Sequence, residues 1–171
     1  MDDDRRAAIV AELPRLRRYA RALLRDADRA DDLVQDSVER ALQRLDNWRT
    51  GENPRRWLFT IMHHLFIDQL RKVKRQVPAQ SLDHEAALAV PSDQTDYSSA
   101  RDICEALERI GADRRAALVL VSVEGFSYAE AANILGIPAG TLMSRVARGR
   151  EELRALLDDQ DRRRSIRVVE T

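Results

Sequence analysis

The chain has almost no cysteine. Cys104 stands alone among 171 residues, so no internal disulfide can form, and without a CxxC pair or a Cys/His cluster nothing points to a structural zinc. Cys104 is expected to pack as a small hydrophobe. Aromatic residues amount to 5%, which leaves any core to be built mainly from Leu, Ile, Val and Ala. No uninterrupted apolar run approaches the roughly 20 residues needed to cross a bilayer, and the opening MDDDRRAAIV lacks the layout of a signal peptide. These two absences predict a cytoplasmic chain with no membrane span of its own. An excess of charge of one sign is missing as well, since 29 basic and 29 acidic side chains cancel to +0. That balance argues against a nucleic-acid binder that relies on bulk electrostatics; any such contact must come from local patches or through a partner.

Catalytic signatures are lacking too. There is no phosphate-cradling Gly loop, no nucleophile elbow and no HExxH set. His64 and Asp68 lie one helical turn apart with His63 adjacent, but a metal site needs further ligands. A basic helix explains these residues more simply, and neither enzyme activity nor a cofactor is expected. What the composition does offer is alanine, arginine and charge, with 34% of residues charged. Such β-poor content points to an all-α protein.

The most informative stretch runs from Phe126 to Leu156. Ala131, Ala132 and Leu135 recur at helical spacing and Ser127 can cap the helix that holds them. Gly136-Ile-Pro138 breaks it, because glycine accepts a left-handed turn and proline suits a first turn. A second helix is expected near Pro138, with Leu142, Val146, Leu153 and Leu156 facing the body and Thr141, Ser144, Arg145 and Arg148 on other faces. Two helices about a tight Gly turn make a helix-turn-helix whose front would enter a major groove. The alternative is a helical hairpin whose arginines are simply solvated.

Upstream, Ile9, Leu13, Leu16, Ala20, Leu23 and Leu24 trace one helical face, and Pro14 should start a new helix or kink the first. Asp28 can cap the next helix, about Arg29 to Leu45, which should bury Leu33, Val34, Val38, Ala41, Leu42 and Leu45. Its other side presents Asp32, Gln35, Asp36 and Glu39, either a solvated face or a surface for a basic partner. Asn47 to Asn53 reads as a loop with Trp48 folded inward. Pro54 opens a helix to about Lys74 whose apolar side is Trp57, Leu58, Ile61, Met62, Leu65, Leu70 and Val73. Thr60, His64, Ile67, Arg71 and Lys74 line another side, and the basic run from Arg71 to Arg75 could meet a phosphate backbone or only keep the surface soluble. From Gln76 to Tyr97 the periodicity fades into a linker. Helices marked by Ile103, Leu107 and Ile110 and by Arg114 to Val123 then join the helix-turn-helix in a four-helix unit. Asp158 to Thr171 is a polar tail expected to be flexible.

Taken together, the chain resembles the extracytoplasmic-function sigma factors of bacterial RNA polymerase from about Leu13 to Leu157. ADDLVQDSVERAL at 30 to 42 is similar to the family's region-two segment that docks on the polymerase clamp. NPRRWLFTIMHHLFIDQLRK at 53 to 72 is similar to its promoter-melting helix, and GFSYAEAANILGIPAGTLMSRVARGREELR at 125 to 154 to its region four. Three motifs in order make the resemblance specific. It implies two small helical domains on a flexible linker. Residues 1–75 would be a region-two domain, 76–97 the linker, 98–157 a region-four domain and 158–171 a tail.

The resemblance also implies site residues and partners. Asp31, Asp32, Gln35, Asp36 and Glu39 would bind core RNA polymerase. Asn47, Asn53, Thr60, His63, His64, Ile67, Arg71 and Lys74 would read the melted minus-ten strand, the loop from Asn47 to Asn53 capturing a flipped base. Arg114, Arg115, Thr141, Ser144, Arg145 and Arg148 would read the minus-thirty-five element as duplex. Two departures stand out: His64 lies where many relatives have Asn, and Met143 where Lys is frequent. An anti-sigma factor covering both DNA-binding faces, in a stress or environmental response, is expected. Whether the two halves move independently or clamp together when free is left open. The rival readings are an autonomous operator-binding regulator, for which no clean heptad supplies a dimer interface, and a decoy that occupies polymerase or an inhibitor without initiating transcription.

Overall fold

The structure, a computed structural model, describes residues 2–24, 26–48, 52–76 and 98–169. Residues 77–97, nearly all of the expected linker, and the side chains of Asn47 and Lys74 lie outside the described residues. Seven α-helices and no strand occur among the described residues: α1 (Asp2–Leu23), α2 (Ala27–Gln43), α3 (Pro54–Gln76), α4 (Ser98–Arg109), α5 (Ala112–Ser122), α6 (Tyr128–Leu135) and α7 (Ala139–Val169). A single 3-10 turn at Leu45–Asn47 follows α2.

Apolar spacing explains most of these helices. In α1, Ile9, Leu16, Tyr19, Ala20 and Leu23 are buried along one face. Pro14 neither starts nor ends a helix; α1 runs through it. The carbonyl deprived of its donor belongs to Val10, on the exposed side of α1, where water can satisfy it. The cap of α2 is Asp26 rather than Asp28, its side chain accepting from the backbone N–H of Asp28 at 2.9 Å and of Arg29 at 3.1 Å. Asp28 instead sits in the first turn, where a negative charge favours the helix dipole. Leu42, expected inside, is exposed.

Trp48 does fold inward. Its ring stacks on Trp57 at 5.7 Å and its Nε1 donates to the Glu52 carbonyl at 2.9 Å. In α3 the buried side is wider than periodicity suggests, with Phe59, His63 and Phe66 joining Leu58, Ile61 and Met62, while Val73 is exposed near the end. The expected polar tail continues α7 as helix to Val169. No glycine or proline follows Gly149, and the segment is rich in Arg, Leu, Glu and Asp, so nothing in the sequence stops the helix. Cys104 is exposed rather than packed, because Ala106 lies on the buried side of α4, which Ile110 continues just past its end.

The helices of the two halves lie against one another. Helix α1 packs on α2 and α3 and also on α4 and α5, and α3 packs on α6. Buried side chains from both halves form one contiguous cluster. Phe59 of α3 meets Phe126, just before α6, edge to face at 5.0 Å.

Candidate nucleic-acid interface

The three groups of residues singled out by sequence lie on three parts of the molecule, with His63 and Arg115 buried. On α2, Asp31, Asp32, Gln35, Asp36 and Glu39 are all exposed. The buried face of the same helix, Leu33, Val34, Ser37 and Ala41, turns them outward as a continuous stripe. Arg21 lies 3.8 Å from Asp31 at one end, a weak surface pair that leaves the rest of the stripe presenting net negative charge.

The helix α3 divides its polar residues between two environments. His64 and Arg71 are exposed, Ile67 and Thr60 half-buried. The Thr60 hydroxyl donates to the Arg56 carbonyl at 2.8 Å, which holds that side chain to its own helix. Asn53 is exposed and its side-chain oxygen accepts from the Arg55 backbone N–H at 3.0 Å, so it organises the start of α3. His63 is buried, 3.5 Å from the Tyr19 hydroxyl, at the long limit of a hydrogen bond. Its ring nevertheless lines the groove beside His64. Burial lowers its pKa to about 4, with the neighbouring His64 and Arg145 acting the same way and Asp113 opposing them. Burial likewise raises the Tyr19 hydroxyl, and the Glu124 carboxylate adds to that.

Arg40 and Arg44 of the α2 end join His64, Ile67 and Arg71 around an open groove that Leu135 and Gly136 of the second half close on one side. Sequence reading missed these two arginines. Arg40 lies in the last turn of α2 and Arg44 caps its end, just past the acidic stripe.

The helix-turn-helix is built as its residues suggest. Ser127 caps α6 in a reciprocal box, accepting from the Glu130 N–H while the Glu130 carboxylate takes the Ser127 N–H at 2.9 Å and hydroxyl at 2.7 Å. Those bonds hold the Glu130 carboxyl below the usual carboxylate range. Gly136 ends α6 with φ 63, the left-handed cap that glycine accepts without a Cβ clash. Along the front of α7, Thr141, Met143, Ser144 and Arg148 are exposed. The Ser144 hydroxyl donates to the Thr141 carbonyl at 2.9 Å. Arg145 is half-buried and pairs with Asp113 at 2.9 Å.

The two arginines of α5 part ways. Arg114 is half-buried, 3.2 Å from Glu152 of α7. Arg115 is buried at 8% exposure and donates to the carbonyls of Leu107 (3.3 Å), Glu108 (3.0 Å) and Leu23 (2.7 Å). It thus satisfies carbonyls left over at the ends of α4 and α1. A guanidinium so placed cannot also reach a phosphate backbone in this arrangement.

Comparison with known proteins agrees with this layout. Residues 9–63 match the Sigma2 domain of PhyR, and residues 100–153 match region 4 of sigma-70. The chain is 41% identical over 157 residues to the ECF RNA polymerase sigma factor EcfG of Rhodopseudomonas palustris (strain TIE-1), spanning 92% of this chain and 87% of that one. It is 34% identical over 142 residues to the ECF RNA polymerase sigma factor SigM of Mycobacterium tuberculosis, spanning 83% and 71%. Among solved structures it is similar to the sigma factor RpoE of Bartonella quintana in complex with the anti-sigma factor NepR, with a TM-score of 0.77, 37% identity and 88% and 94% of the two chains covered. A region-two half carrying an exposed acidic helix and a region-four half carrying a capped helix-turn-helix stand here in the same order as in those relatives, and the chain belongs to the extracytoplasmic-function (ECF) family of RNA polymerase sigma factors.

Proposed function

We propose that this chain binds core RNA polymerase through α2 and directs promoter-specific transcription initiation. Residues 1–75 act as the region-two domain, 76–97 as the linker, 98–157 as the region-four domain and 158–171 as a tail. The observation that supports this reading best is the exposed carboxylate stripe on α2 beside a groove rich in basic side chains. Asp31, Asp32, Gln35, Asp36 and Glu39 stand exposed along α2, while Arg40, Arg44, His64 and Arg71, the last 3.7 Å from Asp68, gather in the groove between α2, α3 and the turn before α7. A carboxylate stripe suits a basic protein surface, and a basic groove beside an imidazole suits a single strand with its phosphates and stacked bases. The near-zero net charge follows, since polymerase would supply much of the total DNA affinity.

The minus-ten strand is assigned to His64, Ile67 and Arg71, with Asn47, Asn53, Thr60 and Lys74 beside them and His63 beneath. The minus-thirty-five duplex is assigned to Thr141, Ser144, Arg145 and Arg148, with Arg114 toward the backbone. Arg115 holds α1 and α4 in place instead. An anti-sigma factor controls the chain in a stress or environmental response, as the complex of RpoE with NepR suggests. The protein works in the cytoplasm, without enzyme activity or a cofactor, and no helix among its described residues is long and apolar enough to cross a membrane.

The test is transcription from a promoter that this chain activates with purified core polymerase. Replacing Arg145 and Arg148 by Ala should weaken upstream recognition roughly 5- to 150-fold if either pairs bidentately with guanine, a contact of about 1 to 3 kcal/mol. His64→Ala should instead reduce strand opening or change the downstream preference. Initiation untouched by both sets would overturn these assignments. A second reading is a decoy that occupies polymerase or an inhibitor without initiating transcription. Polymerase binding without promoter opening would favour it.

A further inference from the structure

The front of α7 carries an uncharged row that its hydrogen-bonding residues do not account for. Gly140, Met143 and Ala147 are exposed at spacings of three and four, which aligns them along one side of the helix. Thr141, Ser144 and Arg148 form the neighbouring row. Leu142 and Val146, both buried, hold the opposite side against the body and so fix the direction in which the two rows point. Met143 is the one long apolar side chain in the uncharged row, and it is 58% exposed.

The polar row is itself partly engaged. The Ser144 hydroxyl donates to the Thr141 carbonyl at 2.9 Å, and nearby Arg145 pairs with Asp113 at 2.9 Å. From Ala139 to Ser144 the helix has no charged side chain at all, so the end of α7 that enters a groove first draws little on side-chain contacts to phosphates. What it offers instead is an unbranched, polarizable thioether that adapts to the surface it meets. Among base edges in the major groove, the apolar landmark is the C5 methyl group of thymine.

We propose that Met143 reads a thymine of the upstream promoter element by packing its thioether on the C5 methyl group, with Ala147 flanking the contact. This rests on the assignment of α7 to the minus-thirty-five duplex and names a base edge that the helix reads there. The two rows then divide the work: Thr141, Ser144 and Arg148 present donors and acceptors, and Met143 presents apolar surface. Cytosine at the same place would lack the methyl group and turn an amino donor toward a sulfur that accepts only weakly. The row therefore discriminates by the donor it leaves unpaired as well as by the methyl group it covers. Because the contact involves no ion, its strength should not vary with salt as phosphate contacts do.

Replacing each thymidine of the upstream element in turn by deoxyuridine removes only the methyl group and leaves every pairing and hydrogen-bonding group in place. The complex of the full chain with core polymerase is titrated with duplex promoter carrying each replacement. At one thymidine the parent should lose about three- to fourfold in affinity, the worth of one buried methyl group, and by the same factor at low and high salt. Met143→Ala puts a good helix former at an exposed position. It should lose about as much on the unmodified promoter and nothing further with deoxyuridine at that thymidine. Parent binding indifferent to every methyl group, or a Met143→Ala complex as sensitive as the parent, would overturn the thymine contact. So would an upstream element without thymidine on either strand. If Met143→Ala weakens only the complex with polymerase or an inhibitor, the side chain belongs to a protein surface instead. Arg148→Ala separates this contact from the reading beneath it. If that variant weakens upstream binding while every methyl group is silent, the duplex assignment stands and the thymine contact falls, whereas upstream binding that responds to neither change sinks both.

Discussion

His63 shows how far one side chain's role depends on what covers it. From sequence it belongs with His64 and Arg71 on a strand-facing side, yet Tyr19 and the neighbourhood of Asp113 and Arg145 enclose it. With a folded-state pKa of about 4 against an ordinary value of 6.5, the unfolded chain binds the proton more readily. His63 is therefore neutral in the fold at neutral pH, and its contribution is fully present above about pH 6.5 and lost as pH falls toward 4. At about 1.4 kcal/mol per pH unit the loss amounts to roughly 3 kcal/mol across that window. Denaturant titrations of the parent chain and of His63→Leu, compared at several pH values, should show the difference between them shrinking as the solution is acidified. A constant difference would mean that the imidazole titrates normally. Residues whose role is local were legible: Ser127 as a cap, Gly136 as a left-handed stop, Trp48 as an inward ring. Those whose role needs the other half were not. Arg115, and Arg18 and Arg55 with the buried Glu124 they pair with, look like any charged residues on helical faces until α1 and α3 are seen against α5 and α6.

At the scale of elements, the apolar spacing marked every helix, but it put Leu42 and Val73 inside, where both are exposed, and passed over the buried Phe59 and Phe66. Pro14 starts no new helix, since the carbonyl it leaves unpaired belongs to the exposed Val10, and the cap of α2 lies two residues earlier than expected because Asp26 and Asp28 offer the same chemistry. The extension of α7 followed from a lack of breakers that composition alone had presented as a tail. One glycine has a packing role that no periodicity reveals. Gly149 of α7 is buried, and a Cβ there would meet the Arg114 carbonyl oxygen at 3.4 Å and the Leu118 Cβ at 3.7 Å. The helices α5 and α7 approach closely at this point. Gly149→Leu should push them apart and cost about 1 to 3 kcal/mol, read as a lowered denaturation midpoint with helix content retained. An unchanged or raised midpoint would show that the gain in helix propensity outweighs the crowding.

At the scale of the whole molecule, the balanced charge and the shared core describe a protein with divided surfaces. The acidic stripe of α2 borders the basic residues of α3, Asp36 and Glu39 lining one groove with Arg71, Lys72 and Arg75, so a basic partner and nucleic acid would meet along a shared edge. The comparison that assigns the family also fits the two halves in order, and the three sequence motifs foretold that order. What they did not foretell is the closed arrangement, since contacts between α3 and α6 depend on the shapes of both surfaces rather than on the periodicity of either. A chain of this kind should do little alone. The most direct measurement is the affinity of the purified protein for core polymerase, followed by opening of a promoter in the same mixture. The account predicts a stoichiometric complex that melts DNA at discrete sites and weakens when Asp32, Asp36 and Glu39 are replaced by Lys. Absence of any complex, or tight binding to a duplex palindrome without polymerase, would contradict it.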